Sequence, residues 1–184
     1  FTSLHYWIEH AATVALYFAA RGHQVTFGYL PYADWQKEIN KFDLRRQDLY
    51  TRKVFSDAAK YMDIVSFLPI YPSYKSIPEE LHRIVEDIST YDTQYTLQVE
   101  EIDREAPLYK MRVERNEAFA RLLYAWLKTN NPDCVIIPNG TIQEMGIAYR
   151  TAKWMGIPVT TYEFGEQRKR IWIAQNREVM RQET

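Results

Sequence analysis

The sequence predicts an α/β domain built around a parallel sheet. Short apolar runs alternate with helical stretches along the 184 residues, and each run is continuously apolar rather than half polar. Turn residues separate the runs, notably Gly22, Pro31, residues 131–133 and Gly156. Strands that are buried on both faces and separated by helices form parallel sheets covered by helices. With right-handed crossovers, the expected arrangement is a doubly wound, Rossmann-like layer.

The first two elements are a helix and a strand. We expect a helix from His5 to Arg21, because this stretch is rich in alanine, lacks Pro and Gly, and stops at Gly22. Between Ala11 and Ala20 it is apolar nearly all round, which predicts burial against a sheet. Gln24 to Leu30 (QVTFGYL) is β-branched and aromatic, and is the first predicted strand.

The remaining elements follow in chain order. They are a helix over Arg46 to Met62, strands over Asp63 to Ile70 and Cys134 to Asn139, a helix over Ile142 to Trp154, a strand over Pro158 to Phe164, and a last helix from about Arg168.

Residues 71–133 form an oversized connection, since a βαβ crossover needs about a dozen residues or more. Apolar residues keep helical spacing from Leu81 to Ile102 and again from Met111 to Leu127. We therefore expect two long helices, joined around Asp103 to Pro107, as an elaboration at 78–130 within a single domain 1–184. An acceptor-binding lid or an oligomer contact are the functional alternatives to a purely structural elaboration.

A doubly wound sheet begins with a central strand, whereas this sequence begins with a loop and a helix. We expect the strand order 3-2-1-4-5, with the first strand lying ahead of Phe1 and missing from the 184 residues. Without this central strand, the backbone groups of the two strands beside it would lack hydrogen-bond partners.

Composition narrows the classes of function. A net charge of -1 argues against general nucleic-acid binding, and no apolar run approaches the ~20 residues that span a bilayer. Cys134 is the single cysteine, so an internal disulfide and a cysteine-based zinc site are excluded, and we expect this thiol to be buried. The dinucleotide and P-loop glycine motifs are absent, which disfavours dehydrogenases and P-loop NTPases. We expect no metal and no cofactor.

Two blocks carry a resemblance to a known family. The first block is WIEHAATVALYFAARGHQVTF, which has His10 on the first helix and ends in the motif R-G-H-x-V-T. The second block is PDCVIIPNGTIQEMGIAYRTAKWMGIPVTTYEFG, in which a P-D-apolar strand is followed by a G-I-P-V strand. Together they resemble the two ends of the N-terminal domain of GT-B glycosyltransferases, in particular the family that includes sucrose synthase and bacterial mannosyltransferases. The region 31–131 is not covered.

This resemblance implies the acceptor-binding half of a two-domain, retaining hexosyltransferase, with little activity on its own. A nucleotide-sugar donor would bind mainly through the absent C-terminal domain, and the acceptor would be a sugar or a lipid-linked glycan. Cell-surface polysaccharide synthesis is the implied setting. The expected location is cytoplasmic, with peripheral contact to the inner face of the membrane as an alternative, and the helical pair is a candidate oligomer contact.

The sequence also departs from the family. The Gly-Gly loop is not visible where Phe1 to Leu4 stand. Many relatives have a His after the third and fourth of these strands, where this chain has Asn139 and Glu163, so no catalytic His is carried over at those places.

Candidate site residues lie at the carboxyl ends of the predicted strands, where open α/β sheets bind ligands. We expect Glu163 and Glu166 to act as catalytic carboxylates or to bind sugar hydroxyls, with Gly165 permitting close backbone approach. A solvated loop is the alternative. Arg168 is a candidate phosphate ligand, or a basic residue at the start of a solvated helix.

Two further groups complete the predicted site. Asn139, Gly140 and Thr141 are expected to bind a hydroxyl or phosphate at a helix start, or to form a turn with Thr141 as the N-cap. On the first helix, His10 is a candidate catalytic residue and His5 and Glu9 are candidate binding residues, with a structural role as the alternative.

Two other functions compete with the transferase. The chain could be half of a sugar-nucleotide 2-epimerase, or a non-catalytic Rossmann-like binding and assembly module.

Overall fold

A computed structural model describes residues 5–30, 40–67, 76–165 and 170–180, with side chains from Ile8 onward. In this part of the chain the protein has five α-helices and two small sheets, which confirms the predicted α/β class. The strand order of a doubly wound sheet stays a prediction.

The chain divides into two compact units, Phe1–Leu68 and Pro69–Thr184. Each unit has a sheet of its own, and we describe each by itself.

The first unit contains a two-stranded parallel sheet, in which Thr26 pairs with Asp63 and Tyr29 with Ser66. Its elements are α1 (His5–Ala20), β1 (Thr26–Tyr29), α2 (Lys41–Val54), a 3-10 turn (Ala58–Lys60) and β2 (Asp63–Ser66).

Helix α1 buries one stripe rather than its whole surface. Ala12 and Ala15 pack in a cluster with Phe27 and Phe55, whose ring centroids lie 5.1 Å apart. The predicted burial of α1 against a sheet is therefore confirmed for one face, while Tyr17 on another face is 61% exposed. The small alanine side chains make the helix apolar on every side without requiring every side to be covered.

Asp48 fixes α2 to the carboxyl ends of both strands. Its Oδ1 accepts hydrogen bonds from the Tyr29 hydroxyl at 2.7 Å and the Ser66 hydroxyl at 2.5 Å, and its Oδ2 accepts one from Arg52 Nε at 2.9 Å. Burial would raise the pKa of Asp48, but the hydrogen bonds from Ser66, Tyr29 and Arg52 hold it below its ordinary value. Burial and the Asp48 hydrogen bond raise the pKa of Tyr29 to about 12.

The second unit holds a mixed three-stranded sheet and three helices. Strands β3 and β4 are parallel, and β5 is antiparallel to β4. The elements are α3 (Glu79–Leu97), α4 (Pro107–Asn130), β3 (Val135–Pro138), α5 (Gln143–Trp154), β4 (Val159–Phe164) and β5 (Ile171–Gln175).

The predicted helical pair is confirmed. Helices α3 and α4 are joined by residues 98–106, and both contact each other and α5. Pro107 begins α4, where its missing N–H costs nothing. Gly146 lets α5 approach α3 closely, because a Cβ at this position would lie 2.7 Å from Ile88 Cδ1 of α3 and 2.6 Å from the Thr141 carbonyl oxygen.

Two predictions for this unit are wrong. The last helix is instead the strand β5, whose Ile171 pairs with Phe164, because the β-branched and aromatic run Ile171–Ile173 extends the sheet. Cys134 precedes β3 and is exposed rather than buried.

Candidate functional site

The loop between β3 and α5 has an unusual backbone. After Pro138, the Asn139 N–H continues the ladder to the Tyr162 carbonyl at 2.7 Å. Asn139, Gly140 and Gln143 then have φ values of 56°, 84° and 55°. Left-handed conformations are uncommon for non-glycine residues such as Asn139 in the loop and Gln143 at the start of α5, and such strain concentrates at functional sites.

Asn139 and Glu163 form the centre of the candidate site. The Asn139 side-chain amide donates to Glu163 Oε2 at 2.9 Å, while its oxygen accepts from the Thr141 N–H at 2.9 Å. Glu163 Oε1 accepts from the Phe164 N–H at 3.0 Å. Both side chains are half-buried at the carboxyl ends of adjacent parallel strands. The two side chains therefore lie side by side at this edge of the sheet.

Gly140 and Thr141 lie against the same strand. A Cβ at Gly140 would lie 2.6 Å from Thr161 Cγ2, so any side chain here would force Thr161 to move. Thr141 is buried, and its hydroxyl has no hydrogen-bond partner among the described residues. The prediction of Thr141 as N-cap is wrong, because α5 begins at Gln143 with Ile142 in the capping position and no side-chain cap.

Gly165 follows β4 directly, as predicted, and its N–H donates to the Arg170 carbonyl at 3.0 Å. A Cβ at Gly165 would lie 3.3 Å from Trp172 Nε1, so β5 approaches the end of β4 closely here. Glu166 and Arg168 lie outside the described residues.

The other predicted residues belong to the first unit. His5 lies in α1, and its side chain is outside the described part of the chain. Glu9 is exposed, and its carbonyl accepts a hydrogen bond from the Thr13 hydroxyl at 2.7 Å. His10 is half-buried. Their predicted roles stay predictions.

A buried charge cluster lies between α3, α4 and the start of α5. Arg112 Nη1 donates to Asp92 Oδ2 at 2.6 Å, and both side chains are almost completely buried. One turn away, the Asn116 amide donates to the Ser89 hydroxyl at 2.9 Å. We call Asp92, Arg112 and Glu144 the α3–α5 charge cluster.

The α3–α5 charge cluster contains two carboxyl groups with raised pKa values. Burial raises the pKa of Asp92 to about 6, against the opposing effects of Arg112 and of a hydrogen bond from Gln143. Burial raises the pKa of Glu144 to about 7; the nearby charge of Asp92 adds to this, whereas a hydrogen bond to backbone, Arg112 and Arg115 oppose it. Carboxyl groups with these pKa values can exchange protons near neutral pH.

Sequence reasoning missed this cluster, although a pattern pointed to it. Asp92 is four residues after the buried Ile88, on the apolar stripe of α3. Arg112 and Asn116 occupy the same stripe of α4 as Tyr109 and Phe119, which are also buried. Polar residues at core positions of an amphipathic helix identify buried polar networks.

The arrangement suits a polyhydroxylated ligand. An amide and a carboxylate side by side can accept and donate hydrogen bonds to neighbouring hydroxyl groups. The buried hydroxyl of Thr141 lies two residues from Asn139 in the same loop. Within residues 5–30, 40–67, 76–165 and 170–180, no group of three or more His, Cys, Asp or Glu side chains is arranged to hold a metal ion.

An open groove of about 460 Å³ lies elsewhere in this unit, between α3 and α5. One of its three cations, Arg150, contacts Asp87 at 3.1 Å and Glu178 at 3.7 Å. The mixed charges of this groove indicate no particular class of ligand.

Comparisons with protein-family models, with curated proteins and with solved structures give no match to this chain. Among the described helices, none combines the length and apolar character needed to cross a membrane.

Proposed function

We propose that this chain is the acceptor-binding domain of a glycosyltransferase, which moves a sugar from a nucleotide-sugar to a glycan or lipid-linked acceptor. The observation that carries the proposal is the hydrogen bond between Asn139 and Glu163 at the carboxyl ends of β3 and β4. Ligands of open α/β sheets bind at this edge, and paired amide and carboxylate groups match vicinal sugar hydroxyls.

The proposal includes the doubly wound strand order 3-2-1-4-5. The parallel pair β1 and β2 in the first unit and the parallel pair β3 and β4 in the second are each compatible with that order.

The proposed chemistry assigns a role to Glu163. Its carboxylate would bind and orient the acceptor hydroxyl through the oxygen that accepts from Asn139. Hexosyl transfer itself would require the donor-binding domain.

Ligand binding to the 184-residue chain tests the proposal. Saturation-transfer NMR with a panel of oligosaccharides should show glycan binding that is weakened at least about tenfold by Asn139→Ala and by Glu163→Gln, since each loses a hydrogen bond to ligand worth about 1.5–3 kcal/mol. Glu101→Gln, at an exposed loop position, is the matched control and should bind normally.

The same titrations distinguish the other functions. Tight binding of a free nucleotide-sugar by this chain alone would contradict the acceptor-side assignment and favour half of a sugar-nucleotide 2-epimerase. Absence of binding to both classes, with self-association through α3 and α4, would favour an assembly module. In the gene, we expect a second Rossmann-like domain with a Glu-rich nucleotide-sugar motif downstream.

A further inference from the structure

The loop that carries Asn139 leads directly into α5. Only residues 140–142 separate Asn139 from Gln143, the first residue of the helix. Asn139 and Gln143 both have left-handed backbones, with φ values of 56° and 55°. Such conformations are unfavourable for residues that have a side chain, and they persist only where other contacts hold them. The contacts at the two ends of this short segment therefore decide where the Asn139 side chain lies.

The first end of the segment is fixed by hydrogen bonds of Asn139. Its N–H donates to the Tyr162 carbonyl at 2.7 Å, and its side-chain oxygen accepts from the Thr141 N–H at 2.9 Å. The carbonyl oxygen of Thr141 lies against α5, since a Cβ at Gly146 would lie 2.6 Å from it. A displacement of the first turn of α5 would therefore move Thr141, and with it the N–H that holds the Asn139 side chain.

The second end of the segment is attached to the α3–α5 charge cluster. Helix α5 has Ile142 in the capping position and no side-chain cap, so its first turn depends on tertiary contacts. The Gln143 side chain donates a hydrogen bond to Asp92 of α3, and Asp92 also accepts from Arg112 Nη1 of α4 at 2.6 Å. One carboxylate therefore ties the first residue of α5 to both long helices.

The strength of this tether depends on the charge of Asp92. Burial raises the pKa of Asp92 to about 6, and the charge of Arg112 and the hydrogen bond from Gln143 oppose this rise. A hydrogen bond that lowers a pKa is stronger to the ionised form, so protonation of Asp92 weakens its bond to Gln143. The other charged groups here are Arg115 of α4 and Glu144 of α5, and burial raises the pKa of Glu144 to about 7. The start of α5 is therefore held most firmly when Asp92 is ionised.

We propose that Asp92 and Gln143 are positioning residues for the Asn139–Glu163 pair, and that protonation of Asp92 loosens this pair and weakens the binding of its ligand. Neither positioning residue needs to touch the ligand. The inference rests on the proposed function only for the identity of that ligand as a glycan. The coupling between Asp92 and Asn139 is a property of the chain itself, and it can be measured without any ligand.

An NMR titration of the ligand-free 184-residue chain tests the coupling. Over about pH 5 to pH 8, the carboxyl carbon of Asp92 should titrate with a midpoint of about 6, and the side-chain amide resonances of Asn139 should shift with the same midpoint. The side-chain amide of Asn40, which caps α2 in the other unit, should not follow this midpoint. The shift at Asn139 should persist in Glu163→Gln, which removes the titration of its hydrogen-bond partner.

Substitutions of Gln143 separate positioning from packing. Gln143→Ala keeps a Cβ on the same left-handed backbone but removes the donor, so Asp92 should still titrate while the shift at Asn139 is lost. Gln143→Lys keeps a donor and should keep the shift. Gln98→Ala is the matched control, because Gln98 is exposed, also has a φ of 56°, and donates through its side chain to the Tyr95 carbonyl at 2.6 Å.

Ligand affinity gives a second readout. With maltotriose as the probe, the parent chain should bind at least about fivefold more weakly at about pH 5.5 than at about pH 7.5, whereas Gln143→Ala should bind weakly at both. By the same linkage, bound maltotriose should lower the titration midpoint of Asp92. Failure of the parent chain to bind any oligosaccharide at either pH would contradict the proposed function, and the ligand-free titration would still decide the coupling.

Three results would overturn the inference. They are Asn139 side-chain resonances that do not follow the midpoint of Asp92, a shift that survives Gln143→Ala, and an equal loss of the shift in Gln98→Ala. The first result needs no variant, so it decides the matter even if Gln143→Ala does not fold. Circular dichroism should show that each variant used in the comparison retains its helices.

Discussion

Arg112 of α4 and Asp92 of α3 form an ion pair at 2.6 Å inside the helical layer, with side chains that are 4% and 1% exposed. A buried pair stabilises a fold weakly, but the loss of one partner is costly because the other charge is left uncompensated.

Removing Arg112 should therefore destabilise the protein. We expect Arg112→Met to lower the free energy of unfolding by about 3–5 kcal/mol, measured by urea denaturation at pH 7.5. Arg112→Met combined with Asp92→Leu should recover most of this loss, because both charges are gone. A double variant as unstable as the single variant would contradict this explanation.

The two raised pKa values predict how stability depends on pH. Asp92 and Glu144 have pKa values of about 6 and about 7 in the folded protein, above the ordinary values of 3.8 and 4.5. The folded state therefore binds more protons than the unfolded state between about pH 4 and pH 7, and these groups reduce stability as the pH rises through that window.

Glu144→Gln should flatten the upper part of this dependence, between about pH 5 and pH 7. Urea denaturation across pH 4.5 to 8 measures it, and Glu101→Gln at an exposed position is the control. An unchanged profile in Glu144→Gln would show that the carboxyl group of Glu144 is not responsible.

Substitution of Gly140 combines a backbone cost with a steric cost. The φ of Gly140 is 84°, which is unfavourable for any residue that has a side chain, and a Cβ added at Gly140 would lie 2.6 Å from Thr161 Cγ2. We expect Gly140→Ala to destabilise by about 2–4 kcal/mol in thermal or urea unfolding.

Two comparisons separate these costs. Gly156→Ala has a φ of 76° but no atom within 4 Å of the added Cβ, so it should lose only the backbone part, about 1–2 kcal/mol. Thr161→Ser removes the obstructing methyl group and keeps the hydroxyl that donates to the Arg177 carbonyl at 2.6 Å. The pair Gly140→Ala with Thr161→Ser should approach Gly156→Ala, and failure to do so would contradict the steric contribution.

The Tyr29 hydroxyl reports on the attachment of α2. Its pKa is about 12 because of burial and the hydrogen bond to Asp48. Asp48→Asn should lower this pKa part of the way towards 10, since burial remains, and should destabilise the protein by about 1.5–3 kcal/mol. NMR of ring-labelled tyrosine measures the pKa, and the exposed Tyr61 provides the internal control.

Much of the fold follows from local patterns in the sequence. The Ala-rich α1, the strands β1 to β4 and the paired helices α3 and α4 were predictable because apolar spacing and Gly or Pro stops are local properties. Strand β5 was missed although the β-branched and aromatic run Ile171–Ile173 favours a strand, and the pairing with β4 confirms that local preference. The burial of Cys134 was wrongly predicted from its residue type. Cys134 is exposed because it lies one residue before β3 rather than within it.

Part of the arrangement at the candidate site was predictable. Asn139 and Glu163 lie together because the carboxyl ends of adjacent parallel strands meet at one edge of the sheet, and their functional roles stay predictions. Asp92 and Arg112 were missed because their partnership joins helices twenty residues apart in sequence and depends on how the helices pack. Polar residues inside an apolar stripe were the available indication.

The reversal at Gly165 has a practical consequence for labelling this protein. Because β5 runs antiparallel to β4, with Thr160 opposite Gln175, the chain returns to the edge of the sheet at which β4 begins. The Asn176 side chain accepts from the Val159 N–H at 2.9 Å and fixes that return. A fluorophore attached near Asn176 would thus stand a strand's length from Asn139 and Glu163, and could report on their ligands without obstructing them.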